Sequence, residues 1–473
     1  MKYNKVTPEI VEELKKIVGA DYVQTDSAKL LELSRDEETA FISDDIYLGE
    51  VAVAPENAQQ VSEIFKLANR ELIPVTPRGG ATGLSGGAVP AFGGIIITDE
   101  RLNRIIEIDD KNLVAVVEPG VVTAKVNEEA AKKNLWYAGY PMSVTSCHIG
   151  GNIAENAGGA NAIKYGVTLR YVLGMEVVMP TGEIINLGGK LMKDVSGYSL
   201  KQLMVGSEGT LGYMTKVILK LQPLMKGKAD ILALFPDTDS AIAAVPRIMT
   251  EGGITPNSIE FIDNYCYAAA CKYLGYDFTT EGIGAVLIIQ LDGTNAEALK
   301  YDADTVKEVC KKSGVAEIYV AKDEEEAEKF WSIRRSIDHA LRETDPVQSD
   351  QDTVVPISKI PDFAEGIKSI EKQYGVKITM FGHAGDGNLH PTILMKEGIT
   401  MEEWEVLSDE VEGAIFRMTH SLGGKISGEH GIGLKRKKFF NELADQAEIN
   451  VLRSVKRALD PNNILNPGKI FDL

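Results

Sequence analysis

The chain has 473 residues, 44% hydrophobic and 25% charged, with a formal net charge of −19 at neutral pH. These proportions suit a globular protein of two or three domains and exclude disordered, collagen-like and disulfide-scaffold classes. So acidic a balance also argues against a broad nucleic-acid surface, which needs clustered Lys and Arg. One value is out of line: 45 glycines, where about 7% usage would give roughly 33.

Met1 to Lys5 lead straight into a polar helical pattern carrying Glu9, Glu12 and Glu13, without the apolar core of a signal peptide. The periodicity of Val61, Ile64, Phe65 and Ala68 predicts an amphipathic helix over 56–70. Strands are expected at Ile73–Thr76, Ile95–Thr98, Leu113–Glu118, Met175–Met179 and Tyr213–Leu221, with Gly-rich tracts between them. Beyond about residue 224 the pattern changes. Strands at Ile231–Phe235, Ala285–Leu291, Ile318–Ala321, Thr353–Pro356 and Lys377–Phe381 alternate with helices near 239–250, 297–312, 325–343 and 359–373. This alternation predicts an α/β layer with helices on one face. A long helix from Met401 to about Leu422 should stop at Gly423-Gly424. The acidic run Asp323–Glu326 reads as a solvated helix start, and the basic run Lys435–Lys438 as a solvated face.

No run reaches the ~20 apolar residues of a membrane span; Ile283–Leu291 is strand-sized. Cys147, Cys266, Cys271 and Cys310 form no Cys-x-x-Cys pair, so there is no evident zinc or iron–sulfur ligand set and no disulfide framework. A cytoplasmic protein is expected.

The glycines concentrate in loops. Pro77-Arg78-Gly79-Gly80-Ala81-Thr82-Gly83-Leu84-Ser85-Gly86-Gly87 can turn several backbone N–H groups onto one anion. No helix follows directly, against a Rossmann fingerprint, and no Gly-Lys-Ser/Thr follows, against a P-loop. Alone, this segment also admits a reading as a plain flexible loop. Two further tracts, Gly150–Gly159 and Val205–Tyr213, favour a long dinucleotide lying against exposed backbone.

Phe381-Gly382-His383-Ala384-Gly385-Asp386-Gly387-Asn388-Leu389-His390 pairs two imidazoles across a Gly-Asp-Gly turn. Ser427-Gly428-Glu429-His430-Gly431 sets a carboxylate beside a third imidazole. Singly, each histidine reads as a satisfied polar residue; jointly, two imidazoles and a carboxylate suit Zn²⁺, Fe²⁺ or Mn²⁺. His148, His339 and His420 are read as structural, although His148 lies in the second glycine tract.

In their order these motifs resemble the vanillyl-alcohol-oxidase (PCMH) type flavoproteins. Within them they resemble the branch of the glycolate oxidase flavin subunit, FAD-linked D-lactate dehydrogenases and D-2-hydroxyglutarate dehydrogenase. The resemblance implies an α+β chain: a PCMH-type FAD-binding domain followed by an α/β FAD-linked oxidase C-terminal (cap) domain. The expected division is an N-terminal helical segment over 1–45, the FAD-binding domain over 46–223, a cap domain over 224–450 and a C-terminal segment over 451–473 that returns to the flavin.

By the same resemblance, Arg78, Gly79, Gly80, Ala81, Thr82, Gly83, Leu84 and Ser85 cradle the FAD pyrophosphate. Pro141, Ser143, Gly151, Asn152, Asn156, Gly158, Tyr165 and Gly166 line the flavin path, with Glu208, Gly209 and Asn466 completing it. Ala81 and Thr82 stand where some relatives carry a flavin-linking histidine, so FAD is expected to be non-covalent. His383, His390 and Glu429 match a divalent-metal site, and His430 matches the catalytic base. Arg334, in Phe330-Trp331-Ser332-Ile333-Arg334-Arg335, matches the clamp for a substrate carboxylate.

The implied reaction is oxidation of a short D-2-hydroxy acid, D-lactate first, with the Cα hydride passing to flavin N5 as His430 removes the hydroxyl proton. The stretch Val347–Asp352 lacks the lysine of the hydroxyglutarate branch, which leans away from a dicarboxylate. Electrons would pass to a partner such as an electron-transfer flavoprotein. A glycolate or alcohol oxidase of the same fold is the alternative, and a non-redox metal hydrolase a remote rival.

Overall fold

The computed structural model describes residues 3–37 and 47–473. Residues 1, 2 and 38–45 of the expected N-terminal segment lie outside the described residues. The rest of that segment contains the helices Pro8–Val18 and Ser27–Leu33, capped by side-chain oxygens of Thr7 and Asp26. In the first of them Ile10, Leu14 and Val18 share one buried face.

The chain forms two compact units. One holds the described residues up to Gly158, with Val167–Leu224 and Glu429–Leu473; the other holds Gly159–Gly166 and Met225–Gly428. The sequence boundaries followed shifts in composition. The structure instead gives 429–450 to the first unit and 159–166 to the second.

In the first unit, Val51–Val53, Ile95–Thr98 and Val75–Arg78 form a parallel array, with Val23–Gln24 antiparallel at one edge. The helix Ala58–Glu71 crosses over between two of these strands, and its Val61, Ile64, Phe65 and Ala68 pack on Val51, Val53, Val75 and Ile97. Each such buried side chain contributes about 1.5–3 kcal/mol. The strand expected at Ile73–Thr76 instead runs Val75–Arg78, because Pro74 has no N–H to give a ladder. A second, antiparallel sheet has the order Ile105–Asp109, Val114–Val117, Tyr213–Lys220, Val172–Val178, Ile184–Gly188. The C-terminal stretch closes the first sheet: Val75 N–H donates to Ile464 O, and Asn466 N–H to Val75 O, both at 2.7 Å.

The second unit is built on one antiparallel sheet, ordered Glu317–Val320, Gly227–Phe235, Ala285–Gly293, Ser258–Asp263, Lys377–His383, Asn388–Leu394, Gln348–Asp350. Helices cover both faces, not one as the alternation suggested. Ile231, Ala233 and Phe235 pack with the helices Thr238–Thr250 and Ile360–Tyr374, while Leu232 and Leu234 pack with Asn264–Leu274 and Glu324–Arg335. The physical reason was legible: Ile231–Phe235 is a continuous apolar run and Ala285–Leu291 is interrupted only by Gln290, without the polar alternation of a one-sided sheet. The helix expected over 325–343 divides at Ser336 into Glu324–Arg335 and Ile337–Thr344. Among the described residues no helix is long and apolar enough to cross a membrane.

Candidate active site

The first unit alone encloses an elongated cavity lined by Pro77 to Leu84, Pro141 to Ser143, Cys147, His148, Gly150 to Asn152, Gly158, Glu208, Gly209, Glu429, His430 and Asn466. The strand Val75–Arg78 delivers the first glycine loop to its wall. There the N–H groups of Gly80, Ala81, Thr82, Gly83 and Leu84 donate to no described residue. Five consecutive orphan donors on a cavity wall are an anion nest, since buried backbone N–H groups otherwise find partners. A Cβ added to Gly83 or Gly151 would meet no protein atom within 4 Å, so these two glycines leave space for something other than protein. Both observations fit FAD, whose pyrophosphate needs the donors and whose length needs the room.

The tract read as loop holds a short helix, Ile149–Glu155, closed by Asn156 in the left-handed region (φ 54°). Its two glycines lower helix propensity, which masked it in the sequence. Asn156 therefore serves as a cap, with its Oδ1 accepting from Leu169 N–H at 2.9 Å, and it does not line the cavity. Ser85 also stands outside the lining; its carbonyl accepts from Leu434 N–H at 2.8 Å. Tyr165 and Gly166 belong to the second unit, where the Tyr165 hydroxyl donates to Asp292 Oδ2 at 2.8 Å. The other expected cofactor residues line the cavity.

Several of them also hold the walls together. Arg78 donates through Nη1 to Arg35 O, and burial draws its guanidinium pKa down. Glu208, left-handed at φ 50°, accepts from Ile432 and Gly433 N–H at 2.7 Å each, which fixes the loop carrying His430. Burial still pushes its carboxyl up. Burial, then the Glu208 charge, push the neighbouring Glu155 well above the usual carboxylate range. Asn466 donates through Nδ2 to Gly87 O at 3.0 Å and Glu208 O at 2.8 Å. The basic run is not a solvated face throughout: Arg436 is 1% exposed and donates to Leu84 O and Gly431 O at 3.3 and 3.1 Å. Burial lowers the Lys469 ammonium to about 7, although its Nζ donates to Val89 O at 2.6 Å. Within this cavity Glu429 Oε1 lies 3.7 Å from His430 Nε2.

The second unit assembles a different kind of site. His383 and His390 sit on paired strands, with ring centroids 5.6 Å apart and nearly perpendicular planes. The turn between them needs Gly387 at φ +87°, where a Cβ would also collide with Val355 O. Strand register sets Glu260 directly opposite His383, and its Oε1 meets His383 Nδ1 at 2.7 Å. Its Oε2 accepts from Arg334 Nε at 2.7 Å, and the guanidinium lies 4.8 Å from the Phe381 ring centre. Burial alone would raise the Glu260 carboxyl, but His383 and Arg334 outweigh it and hold it at about 2. Neither Nη of Arg334 makes a hydrogen bond to a described residue. Asp352, fully buried, accepts from Asn388 Nδ2 (2.7 Å), Ser427 Oγ (2.6 Å) and Gly428 N–H (2.9 Å), with His390 Nδ1 at 3.8 Å. Two buried imidazoles, each backed by a carboxylate, are a donor set suited to a divalent metal.

Sequence reasoning missed Glu260 and Asp352, and did not anticipate the contact of His148, whose Nδ1 lies 2.9 Å from Asp99 Oδ1 on the cavity wall. For Glu260 a signal existed: a carboxylate flanked by Ile259 and Phe261 in the interior of the strand Ser258–Asp263 has to be paired.

Comparison with known proteins agrees with this architecture. Residues 50–188 match the family described as FAD binding domain, and residues 225–470 match FAD linked oxidases, C-terminal domain. Glycolate oxidase subunit GlcD of Bacillus subtilis is 38% identical, covering 98% of this chain and 97% of its own. A D-lactate dehydrogenase of Anaerostipes hadrus is 37% identical, covering 99% and 98%. Among solved structures, p-cresol methylhydroxylase shares the fold with a TM-score of 0.79 at 19% identity, covering 98% of this chain and 96% of its own. The chain therefore belongs to the FAD-linked oxidases, as an FAD-linked oxidoreductase with an FAD-binding domain and an FAD-oxidase C-terminal domain.

Proposed function

We propose that this chain oxidises a short D-2-hydroxy acid, D-lactate foremost, to the 2-oxo acid. One observation carries the reading: the cavity holding the row of orphan N–H groups is also lined by His430, so cofactor and base share one chamber. The names of the relatives, a glycolate oxidase subunit and a D-lactate dehydrogenase, support a 2-hydroxy acid of two or three carbons.

When bound, FAD would supply the two-electron acceptor, and His383 and His390 would hold a divalent metal supplying Lewis acidity. Arg334 presents its two Nη groups to the substrate carboxylate as a planar fork, while Glu260 holds the guanidinium through Nε. Glu260 also fixes His383 through Nδ1, which assigns Nε2 to the metal. His430 takes the hydroxyl proton as general base, held in place by the Glu208 bonds to the two residues that follow Gly431. FAD is bound non-covalently, and acid precipitation should release it. All four cysteines are buried and free, so electrons leave to a separate acceptor such as an electron-transfer flavoprotein, in the cytoplasm.

The test is anaerobic addition of D-lactate to the purified yellow protein. The visible flavin band should bleach. A band unchanged by every short 2-hydroxy acid overturns the proposal, and His383→Ala with full metal content would remove the metal assignment.

A further inference from the structure

Behind the first glycine loop stands a pair that the reading above does not use. Asp99, 5% exposed, ends the strand Ile95–Thr98 and brings Oδ1 and Oδ2 to 2.9 and 3.1 Å from His148 Nδ1. Against a carboxylate, Nδ1 carries the proton. The side chain of His148 stays 20% exposed on the cavity wall, and its Nε2 makes no hydrogen bond to any described residue. The dyad touches the anion nest directly. A Cβ on Gly79 would lie 3.3 Å from Asp99 Oδ2, and one on Gly80 would lie 3.2 Å from His148 Cδ2.

The charge around this point needs a cation. Five carboxylates line the cavity, Asp36, Asp99, Glu155, Glu208 and Glu429 among them, against one guanidinium and two imidazoles. The guanidinium is Arg78, whose Nη1 is given to Arg35 O. The other groups packed near His148 bring no positive charge: the Tyr213 hydroxyl donates to Thr98 O, and the Cys147 thiol points to Thr123 Oγ1.

We propose that His148 is the ionic partner of the FAD pyrophosphate: Asp99 fixes Nδ1–H, and cofactor binding adds a proton at Nε2, which then donates to a phosphate oxygen. This rests on the cofactor reading above. The physical cause is linkage, because a dianion brought beside an imidazole favours its charged form, so binding must take up protons from solvent.

The experiment strips FAD from the full chain and titrates it back in a calorimeter at about pH 7.5, above the ordinary imidazole pKa, in two buffers of different ionisation enthalpy. Wild type should show proton uptake with FAD and none with riboflavin, which lacks the phosphates. His148→Gln should abolish the uptake and weaken FAD about tenfold, the scale of one charge-assisted hydrogen bond. Asp99→Asn, which keeps the side-chain shape, should reduce the uptake and guards against a misfolded glutamine variant. Equal uptake by wild type and His148→Gln, or equal uptake with riboflavin, overturns the assignment. An apoprotein that takes up no FAD overturns the cofactor reading and this assignment together.

Discussion

The two units build their sites from opposite materials. In the first, the cavity wall at residues 80–84 offers backbone N–H groups that no described residue accepts, with space left by Gly83 and Gly151. In the second, the site is a buried side-chain circuit in which Glu260 links Arg334 to His383, and Asp352 links Asn388 to the 427–428 loop. A backbone site is broken by adding atoms; a side-chain circuit is broken by removing them. The first tolerates many neighbours provided glycine stays, whereas the second tolerates few exchanges because each carboxylate answers several partners.

Substitutions can probe this contrast, starting with the chemistry. His430→Asn should slow D-lactate-driven bleaching by about 10²–10⁴-fold while the protein stays yellow, a split that stopped-flow absorbance resolves. Loss of bound flavin instead would make His430 part of the backbone site. Arg334→Lys keeps the charge but removes the fork, and kcat/KM for the hydroxy acid should fall about 10²-fold with FAD content unchanged. An unchanged kcat/KM would put Arg334 in a purely structural ion pair with Glu260. Gly151→Ala adds one methyl group into open space on a helix. Thermal stability should hold or rise by about 0.5–1 kcal/mol, while FAD binds about tenfold more weakly. Parallel loss of stability and affinity would show that the protein itself fills that space.

A pH effect concerns Lys469. Its ammonium is held at about 7 by burial, below the ordinary lysine value of 10.5. Between those values the unfolded chain binds a proton that the folded chain does not, so unfolding free energy should climb as pH rises from about 7 towards 10.5. The slope contributed is at most about 1.4 kcal/mol per pH unit. Lys469→Met should flatten that rise in urea titrations at several pH values.

The same contrast decides what could be read from the sequence. A glycine loop announces itself locally, and Pro77 to Leu84, Gly151 and Gly158 were legible because close backbone approach leaves a mark in the chain itself. Helices with clear periodicity, such as Ala58–Glu71 and Met401–Ser421, were legible for the same reason. Glu260 was not, since its meaning lies in a strand register that sets it against His383, 123 residues away. Arg436 was misread because four consecutive basic residues look solvated, and only the fold shows one of them buried against Leu84 and Gly431. That Tyr165 belongs to the second unit was not legible, because an eight-residue excursion into another unit leaves no compositional trace.

The return of residues 429–473 to the first unit sets a schedule for synthesis. The parallel core around Val75 lacks Ile464 and Leu465, and the cavity lacks His430 and Asn466, until residues 430–466 have left the ribosome. Residues 225–428 emerge earlier. At about 5–20 residues per second the first unit waits for tens of seconds with apolar strands incompletely covered. FAD therefore has no finished chamber to enter during translation, and cofactor capture is a post-translational event. Limited flavin in the cell would then appear as full-length apoprotein, and not as truncated nascent chains.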